Sequence, residues 1–407
     1  MSTTDQNPDL PPRPALGRRS LLRGAGLLGA STLLGAGSAT LTAAPALAAD
    51  GPERILASDF VLEVESEDDL RVDALLAQAG RASIGEVMDA ANHRRTPARA
   101  ITGQVHGFRF APGDEDDEST YPQGIATSRD AVGAADGGRY GGRQLIAVSF
   151  YEKSPKGSRI TLIDWDADHP NRYRRVLLVE PTGTPAQPSF RDVPVHAGGI
   201  VWFGDHLYVA DTEKGLRVFD MRRILRADTA GPHADIGRVD GAFRAHRHAF
   251  ALPQVGTIRR RTAEGTEPLL FSTISLDRAD RSLVATEYRC DSCPQYPGGT
   301  TRAVRFPFAP GTDTFAARTA ATEALEVPLQ NLNGVGSHNR RWWFNDSRRK
   351  TLHHWTGKGA MSSYAWVSWG QSLSYWEDPD GPDLLWSLRE EVGDRTVFAV
   401  KQADYSS

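Results

Sequence analysis

Five places in this 407-residue sequence set polar side chains capable of chemistry at the opening of a strand-like run, most of them beside glycine. They are Tyr121 with Gln123, then His196, then the His246/His248 pair leading into Gln254, then Asn333 with Ser337 and His338, and finally Gln371 with Tyr375. Imidazole and carboxamide groups can jointly hold a divalent ion, and a neutral imidazole can take a proton from a substrate near neutral pH. His196, His338 and Tyr121 are the candidate catalytic groups, and His196, His338 and Gln123 the candidate ligands of a divalent metal ion. Gln123, Gln254, His248, Gln371 and Tyr375 are candidates for holding a ligand. A plainer role competes for all of them, since His and Gln at strand starts also cap backbone groups or hold water.

Residues so far apart in sequence can cooperate only if the fold gathers strand starts around one axis. From about residue 102 the pattern is β and loosely repetitive. One unit holds Gly124 to Ser128, Gln144 to Tyr151, Arg159 to Trp165 and Tyr173 to Val179. A second holds Ala197 to Trp202, His206 to Asp211, Gly215 to Asp220 and Phe250 to Ile258. A third runs from Leu269 to Leu329, a fourth from Gly334 to Val367, and the last, from Ser372 to Val400, is one strand short. Val105 to Phe110 can supply the missing strand and close a ring. Four short antiparallel strands per unit, repeated radially, predict an all-β chain folded as a β-propeller over residues 101–403. Five blades are favoured, with six blades or a two-sheet sandwich left open. Residues 49–100 read as an N-terminal arm with short helices, since Leu70, Val72, Leu75, Leu76 and Ala79 fall at helical spacing before Gly80 and a second helix fits Ile84 to His93.

The N-terminus has a different character. Arg18-Arg19 precede a Gly/Ala-rich apolar stretch from Gly24 to Leu41, and Ala46-Leu47-Ala48 then offers a cleavage site. That order predicts a twin-arginine export signal over residues 1–48, a mature chain starting near Ala49, and a secreted or cell-envelope location. No second apolar stretch follows, so no membrane insertion is expected after the signal is removed. Losing four Arg and two Asp with the signal takes the formal charge from −4 to about −6. A mildly acidic chain lacks the basic face that nucleic acid requires. The two cysteines, Cys290 and Cys293, predict a local disulfide in a loop, as expected outside the cytoplasm.

Several motifs carry less. There is no G-x-S-x-G elbow, Walker loop or H-E-x-x-H. Asp164-x-Asp166-x-Asp168 begins like a calcium loop, but His169 stands where glycine belongs, so an exposed turn is expected. The run Asp114 to Glu118 reads as a solvated loop, and His353 and His354 as outward-facing. Seven of the nine tryptophans lie between Trp342 and Trp386. Their rings either fill the wedges between blades or line a glycan-binding groove.

Gly204 to Asp211 resembles the second strand of many bacterial secreted and periplasmic propellers. Residues 100–403 as a whole resemble secreted propeller-like proteins of high-GC Gram-positive bacteria, a likeness that implies no reaction. Tyr121-Pro122-Gln123-Gly124-Ile125 and His196-Ala197-Gly198-Gly199-Ile200 are similar in placement to blade starts of the glutamine cyclotransferase propellers, which are five-bladed. The acidic residue of that family's second motif corresponds to Gly198, which cannot do acid or base chemistry, so the resemblance implies fold and not activity. Two functions follow as expectations for a monomer. One is an exported hydrolase or lyase acting on a small molecule or glycan at the channel mouth. The other is a non-catalytic binder of glycan or protein.

Overall fold

The computed structural model describes residues 46–153, 156–166, 172–294 and 298–406; residues 1–45 of the expected export signal, with Arg18 and Arg19, and Asp168 lie outside them. Five short strands occupy the centre: Thr120–Thr127, Ile200–Phe203, Thr273–Asp277, Leu332–His338 and Gly370–Trp376. Each packs beside the next in chain order, and the last packs beside the first. From each, an antiparallel array of four strands runs outward. The first continues through Leu145–Lys153, Lys156–Asp164 and Arg172–Thr184, and the second through His206–Asp211, Gly215–Asp220 and Phe250–Thr262. The third and fourth follow the same plan, ending in Glu323–Val327 and Met361–Ala365. In the fifth array, Gln104–Arg109 pairs with Thr396–Lys401, so the strand missing at the C-terminus is supplied from before the first array. The chain is a β-propeller.

Two-residue alternation along the strands builds the wedges between arrays. Trp342 packs with Val284, Leu325 and Val335 on one side of the fourth array, whereas its neighbour Trp343 packs with Leu352, Leu373 and Leu385 on the other. Separate apolar clusters fill the remaining seams, including Phe108, Ile125, Phe150, Trp376 and Trp386 between the fifth array and the first. Eight of the nine tryptophans are thus buried or partly buried in packing; Trp369 is 53% exposed. Around the axis the backbones come too close for side chains: a Cβ on Gly124 would lie 2.7 Å from the Ile200 nitrogen, and one on Gly199 2.3 Å from that of Ile274.

Residues 46–97 carry more than the two helices, Asp69–Ala79 and Ile84–Asp89. Ala46–Ala49 pairs with the outer strand of the fourth array, Glu53–Arg54 with the third, Phe60–Glu67 with the second, His93–Arg94 with the first and Thr96–Pro97 with the fifth. The segment therefore runs round the perimeter and covers strand edges that would otherwise offer unpaired backbone groups. No helix among the described residues is long and apolar enough to cross a membrane.

The acidic run is not solvated throughout, although Asp116 and Glu118 are exposed. Asp114 and Glu115 are buried: Asp114 accepts from Arg159 (2.8 Å) and pairs with Arg175 (2.7 Å), and Glu115 accepts from the backbone of Arg395 (2.8 Å). Asp164 and Asp166 are buried too, paired with Arg143 and Arg139, so arginines occupy carboxylates that a calcium ion would need. His353 and His354 point inward and are almost fully buried.

Candidate functional site

The central strands all run the same way, so every array presents its strand start at one mouth of the ring and its strand end at the other. Contacts at matching levels fix this: Gly124 lies against Ile200, Gly199 against Ile274 and Gly334 against Ser372, while the ends meet where Ser337 donates to Asp277 and Ser374 to Asp130.

At the mouth formed by the strand starts, Tyr121, Gln123 and His196 come together. Tyr121 stacks on Tyr151 with centroids 5.4 Å apart, and Tyr151 lies 4.4 Å from the His196 ring. Lys153 donates to the Tyr121 hydroxyl (3.0 Å), and the Arg395 guanidinium sits over its ring. The Gln123 carboxamide is buried and donates to Glu390 Oε2 (2.6 Å) and to the Pro122 carbonyl (2.9 Å). Gln371 is buried at the start of its central strand on the same side. The His196 ring is open to solvent, and its nitrogens have no hydrogen-bond partner among the described residues. Protein crowds the imidazole and pushes its pKa below the ordinary range, while the solvent at its edge limits that shift.

Three further residues at this mouth were not apparent from strand starts. Glu390 follows the strand Leu384–Arg389, which returns antiparallel to the level of Gln371. Tyr288 donates to Asn331 (3.3 Å), and burial raises its pKa. Trp369 holds a left-handed backbone conformation (φ 56°) that costs a bulky residue on the order of 1 kcal/mol. The Glu390 amide donates to its carbonyl (3.1 Å), which ties the Trp369 backbone to that of Glu390. The disulfide Cys290–Cys293 forms in the loop nearby, with Cα atoms 5.2 Å apart.

The other candidates lie elsewhere. His338 ends its strand and so stands at the opposite mouth, stacked face to face on Tyr375 at 3.9 Å. Gln123, His196 and His338 are therefore divided between the two mouths. Among the described residues no three His, Cys, Asp or Glu side chains are grouped to hold a metal ion. Gln254 belongs to the outermost strand of the second array, where it accepts from Arg217 (2.9 Å) and donates to Thr257 (2.9 Å). His248 lies in the loop before that strand and bonds the Ala245 carbonyl, with burial lowering its pKa to about 4. Its neighbour His246 bonds Asp192 (3.0 Å).

No protein-family model matches the chain, and a search of curated proteins finds no match. Among solved structures it is similar to the β-propeller domain of Cps50 (Swd1) from Myceliophteria thermophila, at 11% identity, covering 75% of this chain and 99% of that one, with a TM-score of 0.30.

Proposed function

We propose that this chain is an exported five-bladed propeller, one blade per strand array, whose strand-start mouth binds and turns over a small molecule or the end of a glycan. The observation that carries the proposal is His196. It is a solvent-open imidazole without a hydrogen-bond partner among the described residues, held beside Tyr151 and across a mouth that also holds the Gln123–Glu390 pair. A depressed pKa keeps the ring neutral near pH 7, the form able to accept a proton from water or from an acidic C–H of a uronic-acid sugar. The first proton transfer would serve hydrolysis and the second elimination. The exposed Trp369 indole offers a flat face for a sugar ring.

The test is turnover by mature protein of neutral and uronate-containing oligosaccharides, with His196→Ala as the deciding variant. Activity that disappears in a folded His196→Ala protein supports the proposal. Its acid limb should lie below the ordinary imidazole pKa of about 6.5, activity rising with pH as the ring loses its proton. Wild-type binding without turnover, lost on Trp369→Ala and unchanged in His196→Ala, would assign the mouth to a non-catalytic glycan binder instead.

A further inference from the structure

The opposite mouth carries a second feature that the proposed reaction does not use. A pocket there is lined by Arg129, Gly133, Arg278, His338 and Tyr375, and also by the carboxylate-bearing Glu377. Arg278 reaches it from just beyond its central strand, with one guanidinium nitrogen donating to the carbonyls of Asp130 (2.6 Å) and Ala131 (3.0 Å). It forms no carboxylate ion pair among the described residues, although it is half-buried. Its other edge, Nε with Nη2, has no protein acceptor among the described residues and faces Gly133. A Cβ at that glycine would stand 2.9 Å from both nitrogens. Arg129 contributes a second guanidinium, anchored through Nη1 to Asp378 (3.3 Å) and packed over the Trp376 ring at 4.5 Å.

The Asp130 and Glu377 carboxylates offset the Arg278 charge from a distance without bonding it, so two parallel donors of the guanidinium are left with no acceptor among the described residues. The Nε/Nη2 edge matches the two oxygens of a carboxylate or of a phosphate group. The His338–Tyr375 stack, with the Tyr375 hydroxyl fixed on Asp383 (2.5 Å), makes a rigid flat wall beside it. We infer that this pocket is an oxyanion site for a small carboxylate- or phosphate-bearing ligand, held by the open edge of Arg278 and supported by Arg129. It is separate from the His196 mouth, and its ligand need not be the molecule processed there.

The experiment is calorimetric titration of the mature protein with succinate and, separately, with inorganic phosphate. Binding of either, weakened roughly ten- to a hundredfold by Arg278→Gln, is the expected result; that is the loss for deleting charge-assisted hydrogen bonds. Arg281→Gln removes an equal charge from a guanidinium bonded instead to the Thr312 carbonyl, and should change affinity little. Whichever probe binds identifies the preferred oxyanion. Should Arg278→Gln fail to fold, phenylglyoxal labelling of the wild-type protein replaces it: the bound probe should protect Arg278 selectively, as read by peptide mass spectrometry. Absence of binding by both probes at millimolar concentration, equal losses in the two variants, or labelling of Arg278 unaffected by the probe would overturn the site. His196→Ala should leave this binding intact, so its result is distinct from that of the reaction at the other mouth.

Discussion

Replacing Arg395 by Met should open the seam where the fifth array meets the first. Arg395 is fully buried just before the strand Thr396–Lys401. Its guanidinium donates to the carbonyls of Asp114, Asp117 (2.6 Å) and Thr120 (2.7 Å), all at or before the first central strand. One side chain thus joins the end of the propeller to its beginning. Methionine keeps much of the buried volume but deletes every donor, leaving three carbonyls to find water or go unsatisfied. Each charge-assisted bond is worth roughly 1.5–3 kcal/mol, but relaxation and water entry recover part of the sum, so a net loss of about 3–5 kcal/mol is expected. The assay is urea unfolding followed by tryptophan fluorescence, with refolding checked, and the unfolding rate in its place if refolding fails. Arg99→Met, at an exposed position, is the matched control and should cost under about 0.5 kcal/mol. A loss below about 1 kcal/mol for Arg395→Met, or one equal to the control, would refute the view of Arg395 as the fastening of the ring.

Export should depend on the guanidinium pair: Arg18→Lys with Arg19→Lys should leave precursor inside the cell, and unchanged secretion on immunoblotting would dismiss the twin-arginine assignment. Deleting residues 101–112 removes the strand paired with Thr396–Lys401 and exposes its edge, so soluble yield should fall and light scattering rise relative to the parent. Acid should destabilise the protein through His353 and His354, whose pKa values burial depresses to about 4. Between that value and about 6.5 the unfolded chain binds more protons than the fold, so stability falls as pH drops through that window, by roughly 2–3 kcal/mol per histidine. His354→Phe, which keeps a ring against Trp343, should flatten the loss measured by urea unfolding across pH 4–7.

Strand identity was legible because side chains alternate with period two, and each array repeats that signal four times. Trp342 and Trp343 show how far it reaches, since adjacent residues had to enter different wedges. The perimeter strands Glu53–Arg54, His93–Arg94 and Thr96–Pro97 carry no such signal, because two residues cannot display a period. Charge runs misled for another reason. The arginines that neutralise Asp114 are Arg159 and Arg175, and Glu115 is held by the Arg395 backbone amide; nothing local marks Asp114 as a residue they will bury. The site divided for a third reason. Periodicity says which face a residue occupies and nothing about its height along the axis. Gln371 and Tyr375 share one strand, as do Asn333 and His338, but four or five residues at ~3.3 Å each span about 13–17 Å, nearly the depth of the ring. A strand start and a strand end thus belong to opposite mouths however close they stand in sequence. That vertical separation sets an imidazole among tyrosines at one end and an arginine edge without a protein acceptor among the described residues at the other, so a change at either mouth is expected to leave its counterpart undisturbed.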